Sequence, residues 1–470
     1  METGPRTEFD IRSEPAVLVG VRLREEESEF DASLAELRAL AETAGVRVVG
    51  TLEQRRAAPR GKTYLGKGKV DELAAMCRGL EAKVAIFDNE LAPSQVQELE
   101  RALSIKVIDR SELILDIFAN RATTKQAQLQ VEIAQLEYTA PRLRAMWSHL
   151  GQVTGGAPVG VGTRGPGEQQ LEIDRRIVKA KLDRLRRELA GIEARRSREV
   201  RQRREEHFTA ALVGYTNAGK SSLFNRLTRG GAFAADKLFA TLGTRVEQWN
   251  LGGGNAAMLS DTVGFVRRLP HHLVASFRAT LEDAIASHVV LEVLDAADPD
   301  ALTQHRTVEQ VLDEIGATSQ PRILLLNKSD LMHGSGDGRL AAWMERVPGA
   351  IPVSAATGEG IDVLAARVLA LMRGDVRECT LSVPLADGRT VDFIEKRVPV
   401  ADRRWTDGRV ELAVRIGRRQ LEQLLAGGAR MLVDGMPAHE GLRALWGDRA
   451  EGPVRRQRPH DSYAVGPGEA

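Results

Sequence analysis

The stretch FTAALVGYTNAGKSSLFN, from Phe208 to Asn225, decides the fold. An apolar, β-branched run (Thr209 to Val213) enters a glycine turn, and a helix-compatible segment leaves it from Ser221. Within the turn, Gly214, Gly219, Lys220 and Ser221 spell G-x-x-x-x-G-K-S. Glycines let the backbone bend until successive N–H groups converge on one phosphate oxyanion. Lys220 adds a point charge for the β- and γ-phosphates, and the Ser221 hydroxyl can ligate Mg²⁺. The helix N-terminus adds its partial positive charge. A strand–turn–helix with an ordinary glycine cap can show the same spacing, so the rest of the chain must decide.

Further signals follow in order. Asp261-Thr262-Val263-Gly264 comes after the apolar run Ala256 to Leu259. There a carboxylate can hold Mg²⁺ through water, and a glycine N–H can sense a γ-phosphate. Next is a buried-strand pattern, Arg322 to Leu326, ending in Asn327-Lys328-Ser329-Asp330. A carboxylate at that place accepts from both the ring N–H and the exocyclic amine of guanine, a pair that adenine lacks. Ile351 to Val353 then leads into Ser354-Ala355, where backbone and hydroxyl can meet the base. Four motifs, each at a strand end, predict a guanine nucleotide and a mostly parallel α/β domain over 207–375.

Composition bounds the remainder. The chain has 470 residues, 43% hydrophobic and 28% charged, with a formal net charge of +1, which suits about three soluble domains and no partner chosen by global charge. Two distant cysteines, Cys77 and Cys379, suit a reducing cytosol and form no metal-ligand cluster. The N-terminus lacks a signal-peptide pattern, and there is no apolar run long enough to span a membrane. A cytoplasmic protein is expected, without DNA as partner and monomeric.

Residues 1–13 read as a disordered lead. Strands at AVLVGVRL (from Ala16), Val48-Val49, Val84 to Phe87 and Ile105 to Ile108 alternate with helices that carry Leu34, Leu37, Leu40 and Ala41, then Val96, Leu99 and Leu103. This predicts a small, largely parallel α/β domain over 14–121. Within it TYLGKGK, from Thr63 to Lys69, is a basic turn that suits either a phosphate or RNA contact or plain solvation. Residues 122–206 read as a helical hairpin. Leu129, Ile133 and Leu136 line one helix, Leu182, Leu185, Leu189 and Ile192 the other, with a glycine-rich tip over Gly151–Gly167. From Arg175 to Glu206 thirteen basic residues face six acids, which suits either a solvated face or a polyanion-binding one. Over 376–448, LSVPL, TVDFIEK and VELAVRI read as strands and Leu421, Leu424 and Leu425 as a helix, giving a small α+β domain. Residues 449–470 read as a disordered tail.

With these stretches, and with IFDNELAPSQ (from Ile86), VIDRSELILDIFANRA (Val107), LQVEIAQLEY (Leu129), GTRGPGEQQLEIDRR (Gly162) and DTVGFVRRLPHHLVASF (Asp261), the chain resembles the HflX family of GTPases over most of its length. The resemblance implies hydrolysis of GTP to GDP and phosphate and binding to the large ribosomal subunit. It also implies N-terminal and hairpin contacts to ribosomal RNA, and the splitting of stalled or idle ribosomes. A rival reading is a ribosome-binding or assembly factor in which nucleotide gates affinity and turnover is incidental. An RNA-modification GTPase ranks last, because no modification domain is visible.

Carried over by the resemblance, Gly214, Tyr215, Thr216, Asn217, Ala218, Gly219, Lys220 and Ser221 hold the phosphates. Phe239, Ala240, Thr241, Leu242 and Gly243 form the first switch, with Thr241 joining Ser221 on Mg²⁺ and Lys220 and Thr241 supporting hydrolysis. Gly243 stands where the family usually has Asp, which leaves Thr244 as a fallback ligand. Ala356 ends the base loop where many members have Lys. After DTVG the chain has Phe265, which can neither orient water nor act as a base, so no side chain is an obvious catalytic residue and intrinsic hydrolysis should be slow. Asn217 leaves two roles open, a K⁺ ligand or a loop-stabilising hydrogen bond. His271 and His272 read as packing residues in preference to catalytic ones.

Overall fold

The computed structural model describes residues 14–24, 29–59, 61–153, 166–228, 239, 244–267, 281–332, 338–406 and 408–447, with side chains masked at 141–153 and 166–175. The expected leader, hairpin tip and C-terminal tail therefore lie wholly or mostly outside the described residues, as do Ala240, Thr241, Leu242, Gly243, His271 and His272.

The first sheet is parallel throughout, in the order β2-β1-β3-β4: β1 (Pro15–Leu23), β2 (Arg47–Arg56), β3 (Val84–Phe87) and β4 (Lys106–Asp109). Helices cover both faces, which is why β1 reads as an unbroken apolar run. Ala16 and Leu18 face α1 (Phe30–Thr43) and α4 (Arg110–Arg121). Val17, Val19 and Val21 face α2 (Lys67–Gly79) and α3 (Pro93–Leu103). In the TYLGKGK turn Leu65 is fully buried and Lys69 pairs with Glu72 at 2.8 Å, while Lys62 and Lys67 are exposed.

The hairpin consists of α5 (Lys125–Val153) and α6 (Pro166–Glu206). Leu129, Ile133 and Leu185 form its buried seam, flanked by Leu136, Leu182, Leu189 and Ile192. The opposite stripe of α5, Ala127, Val131, Ala134 and Tyr138, is part of the N-terminal core. One helix thus serves two cores, and packing does not divide at 121/122.

The central sheet has the order β10-β9-β8-β5-β7-β6. Its members are β5 (Thr209–Gly214), β6 (Arg245–Gly252), β7 (Asn255–Asp261), β8 (Val289–Asp295), β9 (Arg322–Asn327) and β10 (Ile351–Pro352). Only the edge strand β6 runs antiparallel, as expected for a mostly parallel sheet. Alternate residues again serve two cores: Ala210 and Leu212 on one face of β5, Ala211 and Val213 on the other.

The C-terminal unit is antiparallel, in the order β12-β13-β11-β14-β15. These strands are β11 (Val376–Pro384), β12 (Val400–Thr406), β13 (Arg409–Gly417), β14 (Leu432–Val433) and β15 (Met436–Pro437), with helices packed on one face. One expectation fails here. TVDFIEK lies in a helix, Gly388–Arg397, and is not a strand. Asp387 caps it, accepting from the Thr390 N–H at 3.2 Å, and Ile394 and Val398 turn into the core at helical spacing. The unpredicted strand β12 is almost wholly exposed, so it carries no apolar alternation to read.

Candidate nucleotide site

The motif residues gather at the carboxyl ends of β5, β7 and β9, where strand carbonyl ends and helix N-termini converge. The loop Gly214–Gly219 leads into α7 (Lys220–Thr228). Gly219 has φ +91, and a Cβ there would stand 2.2 Å from the Asn327 Nδ2. At Gly264 a Cβ would meet the Lys220 Nζ and the Thr216 Cγ2, both at 2.8 Å. Glycine is therefore what lets the DTVG segment touch the phosphate loop. Two backbone hydrogen bonds fix that contact, Thr216 N–H to the Phe265 carbonyl (2.7 Å) and Phe265 N–H to the Gly214 carbonyl (3.1 Å). The Phe265 ring is buried in a core with Tyr215 and Leu281.

Lys220 is buried and donates from Nζ to the Tyr215 carbonyl at 2.7 Å. Burial pushes its ammonium down to about 8, with Asp261 opposing. The Ser221 hydroxyl donates to Asp261 at 2.8 Å. A hydroxyl beside a carboxylate is an all-oxygen set that fits a hard cation such as Mg²⁺. Among the described residues there is no larger metal-binding cluster of His, Cys, Asp and Glu. Asn217 is exposed at φ +61, a left-handed conformation that Asn tolerates well, and its side chain makes no hydrogen bond to another described residue.

At the base end Asn327 ties three loops together. Its Nδ2 donates to the Ala218 carbonyl at 2.7 Å, and its Oδ1 accepts from the Ala355 N–H at 3.1 Å. Lys328 pairs with Asp295 at 2.6 Å. Ser329 is buried and donates to Glu359. The Asp330 carboxylate is half-buried and has no ion pair among the described residues. It thus retains its acceptor capacity. The Ser354 hydroxyl accepts from the Thr357 N–H at 3.0 Å, which closes its own loop.

Several of the sequence-predicted site residues engage other parts of the protein through their side chains. The Thr262 hydroxyl donates to the Leu212 carbonyl at 2.7 Å. Val263 belongs to the N-terminal core, and Phe239 stacks edge-on against Phe118, centroids 4.5 Å apart. The Tyr215 hydroxyl donates to Glu36 on α1 at 2.5 Å. Thr244, the fallback metal ligand, accepts from Arg196 of α6 at 2.5 Å. Arg196 also donates to Asp283, which takes Arg203 as a second partner. Sequence reasoning missed Glu36, Phe118 and Arg196, because each lies 48 or more residues from its partner and no local pattern marks it.

Four family models cover the chain in series. They are described as GTP-binding GTPase N-terminal (31–119), GTP-binding GTPase Middle Region (121–203), 50S ribosome-binding GTPase (209–328) and HflX C-terminal domain (340–431). A protein named GTPase HflX from Escherichia coli is 39% identical over 406 residues, 86% of this chain and 93% of that one. The chain belongs to the HflX family of GTPases. Another GTPase HflX, from Alkalihalophilus pseudofirmus, is 45% identical over 319 residues, 67% of this chain and 74% of the relative. A GTP-binding protein from Sulfolobus solfataricus, solved with GDP, covers 76% of this chain and 98% of its own at 24% identity and a TM-score of 0.42. HflX membership agrees with the four ordered motifs and with the sheet that carries them. No helix among the described residues is long and apolar enough to cross a membrane.

Proposed function

We propose that this HflX-family GTPase acts on the large ribosomal subunit, where hydrolysis times its release and splits stalled or idle ribosomes. The observation that carries the reading is the joint position of the described residues at the ends of the switch segments, Phe239, Thr244, Val263 and Val266. They lie against a four-motif nucleotide site on one side, and against the N-terminal unit and arginine-bearing hairpin on the other. Exposed Arg184, Arg187, Arg195 and Arg198 on α6 suit a phosphate backbone. Lys181 and Arg186 instead pair across the hairpin with Glu132 and Glu137.

In this reading the loop N–H groups and Lys220 hold the phosphates and Asp330 selects guanine. Ser221, with Asp261 through water and Thr241 in the triphosphate state, would hold Mg²⁺, which would supply positive charge against the phosphates. With Phe265 buried, no side chain in the motifs polarises water, so the ribosome completes the site by ordering the switches. Such trans effects reach ~10³–10⁵ in rate. Asn217, presented at the loop surface, is the candidate K⁺ ligand. Equal turnover in KCl and NaCl at one ionic strength would remove that role.

The deciding experiment is steady-state hydrolysis of GTP and ATP with and without purified large subunits. Strong stimulation confined to GTP supports the proposal. Binding to the subunits without stimulation supports the rival, a nucleotide-gated binding factor. Whether Lys220→Ala protein still separates ribosomes distinguishes the two readings.

A further inference from the structure

We infer that Glu36, on α1 of the N-terminal unit, is a positioning residue for GTP hydrolysis: one carboxylate holds the phosphate loop and the segment after DTVG in a single arrangement. Its Oε2 accepts from the Tyr215 hydroxyl at 2.5 Å. Its Oε1 accepts from the backbone N–H of Arg267 at 3.1 Å, and the Arg267 Nε lies 3.7 Å from Oε2. Tyr215 is the second residue of the phosphate loop, and Arg267 follows Gly264 by three residues. These are the two segments that must register a γ-phosphate. Glu36 reaches them from 179 and 231 residues away in sequence.

The carboxylate is itself fixed. The Arg110 guanidinium donates to Glu36 through Nη2 and to Asp88 through Nη1, the latter at 2.7 Å. Asp88 also accepts from the Ser33 hydroxyl at 2.7 Å. Arg110 and Asp88 are at most 3% exposed in their side chains, and Glu36 is 11% exposed. Burial and the Glu36 charge push the Tyr215 phenol well above its ordinary range, so the hydroxyl stays a donor at every physiological pH.

The chain of contacts ends on the phosphate-binding lysine. Tyr215 is anchored through its ring hydroxyl by Glu36, and its carbonyl accepts from the Lys220 Nζ at 2.7 Å. A second, apolar set of contacts runs in parallel. Phe239, Val263 and Val266, from both switch regions, are buried in the same core as Leu37, Leu113 and Phe118 of the N-terminal unit. Seating of α1 and the arrangement of the switches are therefore coupled, and the coupling free energy is the same read from either side.

This rests on GTP hydrolysis and is independent of the ribosome, so the test uses the full chain without ribosomes. Tyr215→Phe removes one hydroxyl and keeps the ring. Glu36→Gln removes the charge and keeps the shape. The single variants and the double variant are assayed for kcat, KM and melting temperature. Hydrogen exchange of residues 30–43 is followed with no nucleotide, with GDP and with a non-hydrolysable GTP analogue. Each single change is expected to lower kcat about three- to tenfold, with KM changing less, and the double variant to lose no more than Glu36→Gln. In the parent chain the GTP analogue should slow exchange in 30–43 relative to GDP, and in Tyr215→Phe that difference should shrink. Two outcomes overturn the inference: lowered melting temperature with unchanged kcat, which makes Glu36 a plain interface latch, or additive losses with nucleotide-blind exchange in α1. If Glu36→Gln fails to fold, Tyr215→Phe with the exchange readout still decides.

Discussion

Lys220 shows how burial sets a binding property. An ammonium whose folded value is lowered to about 8 loses its proton as pH rises through that value instead of near the ordinary value for lysine, 10.5. Bound phosphate, the β-phosphate of GDP included, would favour the charged form, so binding takes up a proton between roughly pH 8 and 10. Calorimetry of GDP binding should show heats that depend on buffer ionisation at about pH 8.5 and not at about pH 7, with affinity falling as pH rises. Buffer-independent heats at both would refute the assignment. Asp330 gives a second residue-scale prediction. Asp330→Asn presents an amide N–H toward the guanine amine and loses one acceptor, so GTP affinity should fall at least about a hundredfold. The same amide can donate to the 2-oxo group of xanthine, so XTP should bind better than GTP. Retained preference for GTP would place guanine recognition elsewhere.

Elements differ in how openly they declare themselves. Strands buried on both faces, such as β1, β5 and β9, show as apolar runs because every side chain enters a core. The hairpin seam shows as an a/d-like stripe for the same reason, and Leu185 sits at its centre, 3% exposed. Leu185→Ala should cost about 2–4 kcal/mol, read by chemical denaturation as early loss of helix signal. Ile177, 61% exposed, should tolerate the same change. The segment from Gly388 to Arg397 was misread because Val391, Phe393 and Ile394 permit both periods over so few residues. Its cap decides the matter: Asp387 accepts from both the Thr390 N–H and the Thr390 hydroxyl. Asp387→Ala should cost about 1 kcal/mol, read as a lower melting temperature.

For the whole molecule, the consequence of the fold is that the N-terminal unit and the hairpin both pack against described residues around the nucleotide site. Asp283, 6% exposed in its side chain, receives Arg196 and Arg203 from α6, and Arg196 reaches on to Thr244. Asp283→Ala leaves two arginines uncompensated between the hairpin and the central sheet. The loss should be about 2 kcal/mol, below the usual figure for a buried pair because both guanidinium groups keep some solvent. Limited proteolysis should then cut the hairpin faster while the central domain resists. Equal protection in parent and variant would mean that the interface holds without the ion pairs.

The sequence by itself determined the GTPase assignment, through the phosphate-loop spacing, the DTVG segment and the run Asn327-Lys328-Ser329-Asp330. Each is a local pattern, because a backbone turn of given shape needs given residues at fixed spacing. It also determined the parallel strands of the first two sheets, through runs that only a doubly covered strand requires. Tertiary structure decided what those motifs touch. That the Tyr215 hydroxyl meets Glu36, that Phe239 and Val263 belong to the N-terminal core, and that Ser354 closes its own loop are pairings of groups with many chemically equivalent alternatives along the chain. Periodicity and spacing encode neighbours within one element. A contact spanning 179 residues is fixed only when whole sheets and helices have packed, and in this protein those contacts join the nucleotide site to the rest of the molecule.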